Sequence, residues 1–537
     1  MHQSDFVPVS RPLLADLASC DRWLARERIT DSGRACSSFI ALLDQLEDAP
    51  PDAKTFAQIL ERLRIPMHAA LGEQTRRFAC KALPLAAAEV ATLRNARDLW
   101  LAQIRAWQRL QRTALKTKQT ESNLAHVMLR TLESIVGLMS TLLAARQQIQ
   151  AEYWRWLHQS YALCEKETLL EVVVPDETGD GGLSCLQLYV RILMLHLANP
   201  ATLSQREFDW VARWTNRWAR KVTLSTAAER ESGLAVDLGG ETGATWTHEF
   251  HGKMSIRFLH CATLRHSIRS RIKKLDAGAT PADLNLGKDC PPSAARTLLE
   301  KLLNDWGDAP RARQFPRRDA AGKIELVSGF AGIRRALSAD NQEDEDISPW
   351  RYTRQQVEEI HLFQRVAKGL GAQKTEANQE HWEILDESAN GFGLRRSLVG
   401  SRLAHGQLVA VRPQGASQFI FCDVRWLSQS AENNAPTLPR GEAKLCIGAK
   451  AMPGMPQACG VRSLADSPAS GGAWSVAFVL SLSKGLAPQI VLPLGWYQAE
   501  REVEIKFQQS RFRVRLEQIL ARGYDYQRVS FATLAGI

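Results

Sequence analysis

Nowhere in the 537 residues do two cysteines form a Cys-x-x-Cys pair, although the chain has 10: Cys20, Cys36, Cys80, Cys164, Cys185, Cys261, Cys290, Cys422, Cys446 and Cys459. Most lie among apolar neighbours, where Cys acts as a small hydrophobe. This spacing supplies no zinc ligand set, and a chain of this length needs no disulfide scaffold. Also missing is any block of five or six consecutive basic residues, the mark of a nucleic-acid tail. No unbroken run of about eighteen apolar residues occurs, so no segment is expected to span a membrane. Residues 1–14 lack the basic-then-apolar pattern of a secretion signal, and the expected location is the cytoplasm. There is no Gly-x-Ser-x-Gly elbow and no Walker phosphate loop. No residue is therefore nominated as catalytic, and enzyme activity is not expected.

What the chain does have is length and tryptophan. It exceeds what one hydrophobic core can hold, which predicts two to four domains. Hydrophobic residues at 45% and charged residues at 23% are the proportions of a folded protein rather than a disordered one. The 15 Trp are spread along the chain, which predicts packed cores throughout. Lys and Arg outnumber Asp and Glu by 68 to 58, and the net charge of +10 suits an anionic partner. Over this length the same excess also fits a plain solvated surface.

The residue pattern predicts an α+β multidomain protein: an all-α helical bundle or repeat region, then an antiparallel β-barrel with a β-rich C-terminal extension. Residues 1–174 read as the helical domain. Pro84 opens a segment with apolar residues at Val90, Leu93, Trp100, Ile104 and Trp107, one face of a 3.6-residue period. Met128, Leu132, Ile135, Met139 and Leu142 repeat the pattern. A Trp and Met stripe at this spacing is core rather than a cofactor site. Residues 175–310 read as a mainly helical middle region with a small β element near 232–259. From 311 short strands alternate with turn residues, and 311–465 is read as the barrel. An acidic and helix-like insertion is placed at about 338–380, and the β-rich 466–537 reads as a hairpin-rich extension of the barrel or a small β domain.

Two patterns in the β region stand in a telling order. Arg313-Gln-Phe-Pro-Arg317, followed by Arg318, comes first, and Asp386-Glu-Ser388-Ala-Asn-Gly391 follows the strand-like Trp382–Leu385. Further on come Gly406–Arg412, Phe419–Trp426 with its Val-Arg-Trp ending, and Lys444-Leu-Cys-Ile-Gly448. Together these resemble the PilZ family of cyclic di-GMP receptors, over roughly residues 311–465. The helical part resembles, more loosely, bacterial proteins that join a helical region to a PilZ-like one. The resemblance implies that Arg313 and Arg317, with Arg318 beside them, hold phosphate and guanine. It also implies that Asp386 and Ser388 fix a guanine edge at the turn closed by Gly391. The chemistry suits the ligand, since arginine pairs phosphate in a planar fork and stacks on purines. A carboxylate accepts the guanine N1–H and N2–H donors, and glycine permits a tight turn. The gap between Arg317 and Asp386 is longer than the family pattern and depends on the insertion.

The implied function is a non-enzymatic cyclic di-GMP receptor, with no other cofactor and no metal, acting in motility or biofilm control. Its helical region would engage an unidentified protein partner. A second reading keeps the barrel as a nucleotide-independent adaptor between proteins. A basic nucleic-acid-binding protein would need a focused positive face with stacking aromatics, which the sequence does not display. Other patterns are set aside. Asp237–Gly243 is a glycine-rich turn, and His248 and His251 are one residue short of the zinc-protease spacing. Gly369-Leu-Gly371 lacks the rest of a dinucleotide fingerprint. The further Arg-x-x-x-Arg matches, Arg213/Arg217 and Arg265/Arg269, read as helix faces.

Overall fold

A computed structural model describes residues 14–27, 30–117, 120–175, 181–228, 233–249, 255–307, 316–338, 380–430, 442–464, 474–481, 488–507 and 510–534. The chain divides into two compact units, residues 1–81 with 85–312 and residues 82–84 with 313–537. The first is mainly helical and the second is built on β-sheet, so the protein is an α+β multidomain chain.

In the first unit, side-chain caps mark where helices begin. Asp31 accepts the Gly33 and Arg34 amides ahead of α2 (Ser32–Asp48), and Asp52 does the same ahead of α3 (Ala53–Phe78), which follow α1 (Leu17–Arg26). The helix expected from Pro84 starts at Ala87, where Glu89 reaches back to the Ala86 amide at 2.8 Å. This α4 (Ala87–Lys116) packs on α5 (Glu121–Ala144). The Trp100 indole lies directly on Gly137, where a Cβ would come within 2.4 Å of the ring, and its Nε1 donates to Thr141 Oγ1 at 3.0 Å. α5 is long and apolar enough, by length and composition, to cross a membrane, which the search for an unbroken apolar run missed. The charges that interrupt it are turned inward. Arg130 is 2% exposed and pairs with Glu61 at 2.9 Å and Glu133 at 3.0 Å. Most of α5 is buried, as in a core helix.

Beyond α6 (Ala151–Lys166), capping boxes at Ser184 and Ser204 open α7 (Cys185–Leu197) and α8 (Gln205–Trp218). Four short strands follow, β1 (Thr223–Ser225), β2 (Leu234–Asp237), β3 (Thr245–Trp246) and β4 (Ile256–His260), in the order β1-β4-β2-β3. They are the small β element read at 232–259. α9 (Ala262–Asp276) and α10 (Pro292–Asp305) end the unit. Residues 1–174 and 175–310, separated in the sequence reading, cluster as one body. Polar ties across that line explain it. His158 Nε2 meets the Thr242 carbonyl at 2.9 Å, and Arg257 pairs with Glu165 at 2.5 Å.

The second unit holds two rings of strands. β5 (Arg318–Asp319), β6 (Lys323–Ser328), β7 (Glu380–Ser388), β8 (Gly391–Ser397), β9 (Leu408–Pro413), β10 (Ile420–Gln429) and β11 (Lys444–Ala451) form the first sheet. Its order is β5-β7-β6-β9-β10-β11-β8, and the β7–β8 pairing closes six of these strands into a ring with β5 attached to β7. Helix α11 (Phe330–Ser338) leaves β6 before β7 returns antiparallel to it. The expected insertion at about 338–380 falls almost wholly outside the described residues.

The second ring is a closed barrel, β12-β13-β14-β17-β16-β15, made of β12 (Met455–Ser463), β13 (Ser475–Ser481), β14 (Gln489–Pro493), β15 (Glu502–Phe507), β16 (Ser510–Arg522) and β17 (Tyr526–Thr533). The boundary expected at 465 therefore falls too late, because β12 pairs with β13 and β15 and not with β11. The C-terminal β-rich part is a barrel of its own rather than a hairpin extension. One apolar cluster joins both rings, with Leu408, Phe419 and Phe421 from the first, Phe478, Val491 and Tyr526 from the second, and Ile333 of α11.

Candidate ligand site on the first barrel

Strand alternation decides which side chains face out. Leu394, Ile447 and Leu427 are fully buried and lie side by side on β8, β11 and β10, so their row lines the interior. The neighbouring row faces out and runs Asp386, Gly393, Gly448, Trp426 across β7, β8, β11 and β10. A second outward row runs Ser388, Gly391, Lys450, Asp423. Three of these eight positions are glycine, and each is filled by a neighbour. A Cβ at 448 would lie 1.9 Å from Trp426 Nε1, one at 393 would lie 2.9 Å from Asp386 Oδ1, and one at 391 would lie 2.1 Å from the Ala449 carbonyl oxygen. Gly391 also has φ +151°, a conformation close to glycine-only. The result is a face on which the Asp386 carboxylate lies over Gly393 and the half-buried Trp426 indole lies over Gly448, with no side chain at 391.

Two local irregularities aim the walls. The β7–β8 register shifts between Ile384 and Asp386, and the β10–β11 register shifts between Val424 and Trp426. Bulges of this kind redirect the side chains that follow them. Ser388 closes the β7–β8 turn, its hydroxyl lying 3.4 Å from both the Asn390 amide and the Gly391 carbonyl.

The sequence-derived residues are brought together in part. Arg317 donates through Nη1 to Asp386 Oδ2 at 2.9 Å, with side-chain exposures of 37% and 25%. Ser388 and Gly391 lie on the same outer face. Arg318 does not. It stands opposite Glu387 in the β5–β7 pairing, and alternation puts it on the other side of the sheet from Asp386. Asp319 takes the place beside Asp386 instead. Arg313 lies outside the described residues.

Sequence reasoning missed four contributors. Gly393 makes room for the Asp386 carboxylate, and Gly448 makes room for Trp426. Lys450 adds an exposed ammonium, and Trp426, quoted only as a strand ending, forms a wall. The Gly-x-Gly spacing at 391–393 was the available signal. Where the two rings meet, Asp423 is 6% exposed and has Arg425 at 3.0 Å, and burial pushes its carboxyl above the usual range. Nearby Asp525 accepts the Leu408 amide at 2.9 Å, and burial pushes its carboxyl up to about 7.

The patterns set aside sit in scaffolding. Asp237 accepts the Gly239 amide at 3.0 Å and the Ser255 hydroxyl at 2.5 Å, which fixes the glycine turn internally. Arg213 pairs with Asp289 at 2.7 Å from α8. Among the described residues no group of three or more His, Cys, Asp or Glu is placed to hold a metal ion; His251 and residues 369–371 lie outside them.

Comparison with known proteins adds evidence from a different stretch of the chain. No curated protein matches it. Residues 18–229, from α1 through β1, match the family described as the N-terminal domain of the cyclic-di-GMP receptor FimW.

Proposed function

We propose that the protein is a cyclic di-GMP receptor that binds its ligand on this outer face of the first barrel and carries out no catalysis. One observation carries the reading: Arg317, Asp386, Ser388 and the Trp426 indole converge on one outer face, Asp386 and Trp426 lying over glycines of the neighbouring strands. The family match of the helical region supports it from a different stretch of sequence, since none of the residues named on the face lies within 18–229. The ligand offers two phosphates and two guanines, and the face offers a complement to each. Trp426 presents an aromatic surface for stacking. Asp386 accepts from the guanine N1–H and N2–H, while Arg317 turns its fork to a phosphate.

The cost of that exchange is small. The Arg317–Asp386 pair is partly exposed, and such pairs contribute about 0.2–1 kcal/mol. When the guanidinium leaves, the guanine donors replace it at a carboxylate that would otherwise face Asp319 uncompensated. Binding thus swaps one set of partners for another rather than exposing a bare charge. Signal output through the helical unit to a protein partner, in motility or biofilm control within the cytoplasm, completes the proposal.

Titration calorimetry of the full chain with cyclic di-GMP tests it. Micromolar or tighter binding is expected, with Arg317→Ala and Asp386→Ala each weakening it by roughly 100-fold or more. A wild-type chain with neither binding heat nor thermal shift overturns the reading. The closed Arg317–Asp386 pair would then favour the alternative, a nucleotide-independent adaptor.

A further inference from the structure

Lys450 stands at the far side of the face from Arg317. It lies directly opposite Gly391 on β8, which lies opposite Ser388 on β7, so no side chain intervenes between the ammonium and the Asp386–Ser388 turn. Lys450 is exposed and makes no ion pair among the described residues. Its cross-strand neighbour Asp423 is buried; its carboxylate is engaged by Arg425 at 3.0 Å and by the Tyr526 hydroxyl and also feels the Lys450 charge, without an ion pair to it.

Charge on the face gives this residue its weight. Arg317, Lys450 and Arg425 supply three positive charges, and Asp319, Asp386 and Asp423 supply three negative ones, so the described face sums to zero. Arg317 is already engaged by Asp386. Without Lys450 the face would be net negative toward a ligand that itself carries two negative charges.

We propose that Lys450 is a phosphate-binding residue of this site and decides whether the face accepts an anionic dinucleotide. The assignment rests on the reading of the face as a cyclic di-GMP site. A lysine suits the role, since its compact charge on a flexible stem can follow a phosphate whose position is set elsewhere, by Asp386 and Trp426.

Calorimetry of the full chain with cyclic di-GMP, comparing wild type, Lys450→Gln and Lys450→Arg, tests the assignment. Lys450→Gln is expected to weaken binding roughly 10-fold, and Lys450→Arg to restore it to within about 3-fold of wild type. Raising salt from about 0.05 M to about 0.5 M should weaken wild type more than Lys450→Gln, because the variant has lost a screened attraction. Thermal midpoints should coincide, which separates lost contact from lost fold. Equal affinity for wild type and Lys450→Gln, or failure of Lys450→Arg to restore binding, overturns the assignment alone. A wild-type chain that does not bind overturns the site and the assignment together.

Discussion

Both barrels of the C-terminal unit close with six strands, yet their outer faces are built on opposite plans. On the second barrel, charges are matched across neighbouring strands. Glu504 of β15 stands between Arg462 of β12 and Arg513 of β16, and Arg462 and Arg511 lie over the Trp474 ring at 4.8 and 5.8 Å. On the first barrel, glycines at 393 and 448 make room for the Asp386 carboxylate and the Trp426 indole, and Gly391 leaves no side chain between Ser388 and Lys450. Closure of a sheet therefore does not make a site. The proposed site differs in having glycines on adjoining strands at matching register, which let the Asp386 carboxylate and the Trp426 indole lie down on the sheet.

The sharpest way to break this contrast is to put a side chain back. Gly391→Ala adds a methyl in collision with the Ala449 carbonyl, at a φ that favours glycine. We expect destabilisation of about 3 kcal/mol and loss of cyclic di-GMP binding, checked by denaturant unfolding and calorimetry.

A smaller effect belongs to the seam between the barrels. Asp525 titrates near 7 when folded and near 3.8 when unfolded, so the folded state holds a proton that the unfolded chain releases earlier. Its contribution is therefore complete below about pH 4 and declines as pH rises toward and through about 7. Burial acts on Asp423 in the same direction. Asp525→Asn keeps an oxygen for the Leu408 amide and removes the titration. The fall in thermal midpoint between about pH 5 and about pH 8 should be shallower in this variant than in wild type. An unchanged slope would assign the pH dependence to other groups.

The least effect is expected on the second barrel. Glu504→Gln weakens a partly exposed ion pair with Arg462 and should cost about 1 kcal/mol or less. Ligand affinity should stay at the wild-type value. A loss of affinity there would mean that the two faces are not independent.

Local chemistry was the legible part of this molecule. Asp386, Ser388 and Gly391 were identifiable because a turn is specified by residues close in sequence, and the helices because caps and apolar periods repeat within a few turns. Trp426 above Gly448 was hidden, since the contact depends on a bulge at Arg425 that shifts the β10–β11 register. Arg318 was misplaced for a related reason: one residue of alternation reverses the face. The second barrel was masked because β12, coming directly after β11, falls inside the stretch read as the first barrel, 311–465. The chain instead crosses there from one ring to the other, and only pairings tens of residues away, from β13 to β15, reveal it.

The apolar cluster that joins the two rings sets how this chain can be handled by the cell and at the bench. Phe419, Phe421 and Met452 share their cluster with Ile333 and Ala336 of α11 and with Val476, Phe478, Leu480, Val491 and Tyr526 of the second ring, which arrive later in the sequence. During synthesis the first ring therefore emerges before the second-ring half of this cluster has been made. A nonsense mutation or a protease cut after Met452 would remove that half and send the product toward aggregation or degradation. The two barrels thus share one core, while the glycines at 391, 393 and 448 belong to the first.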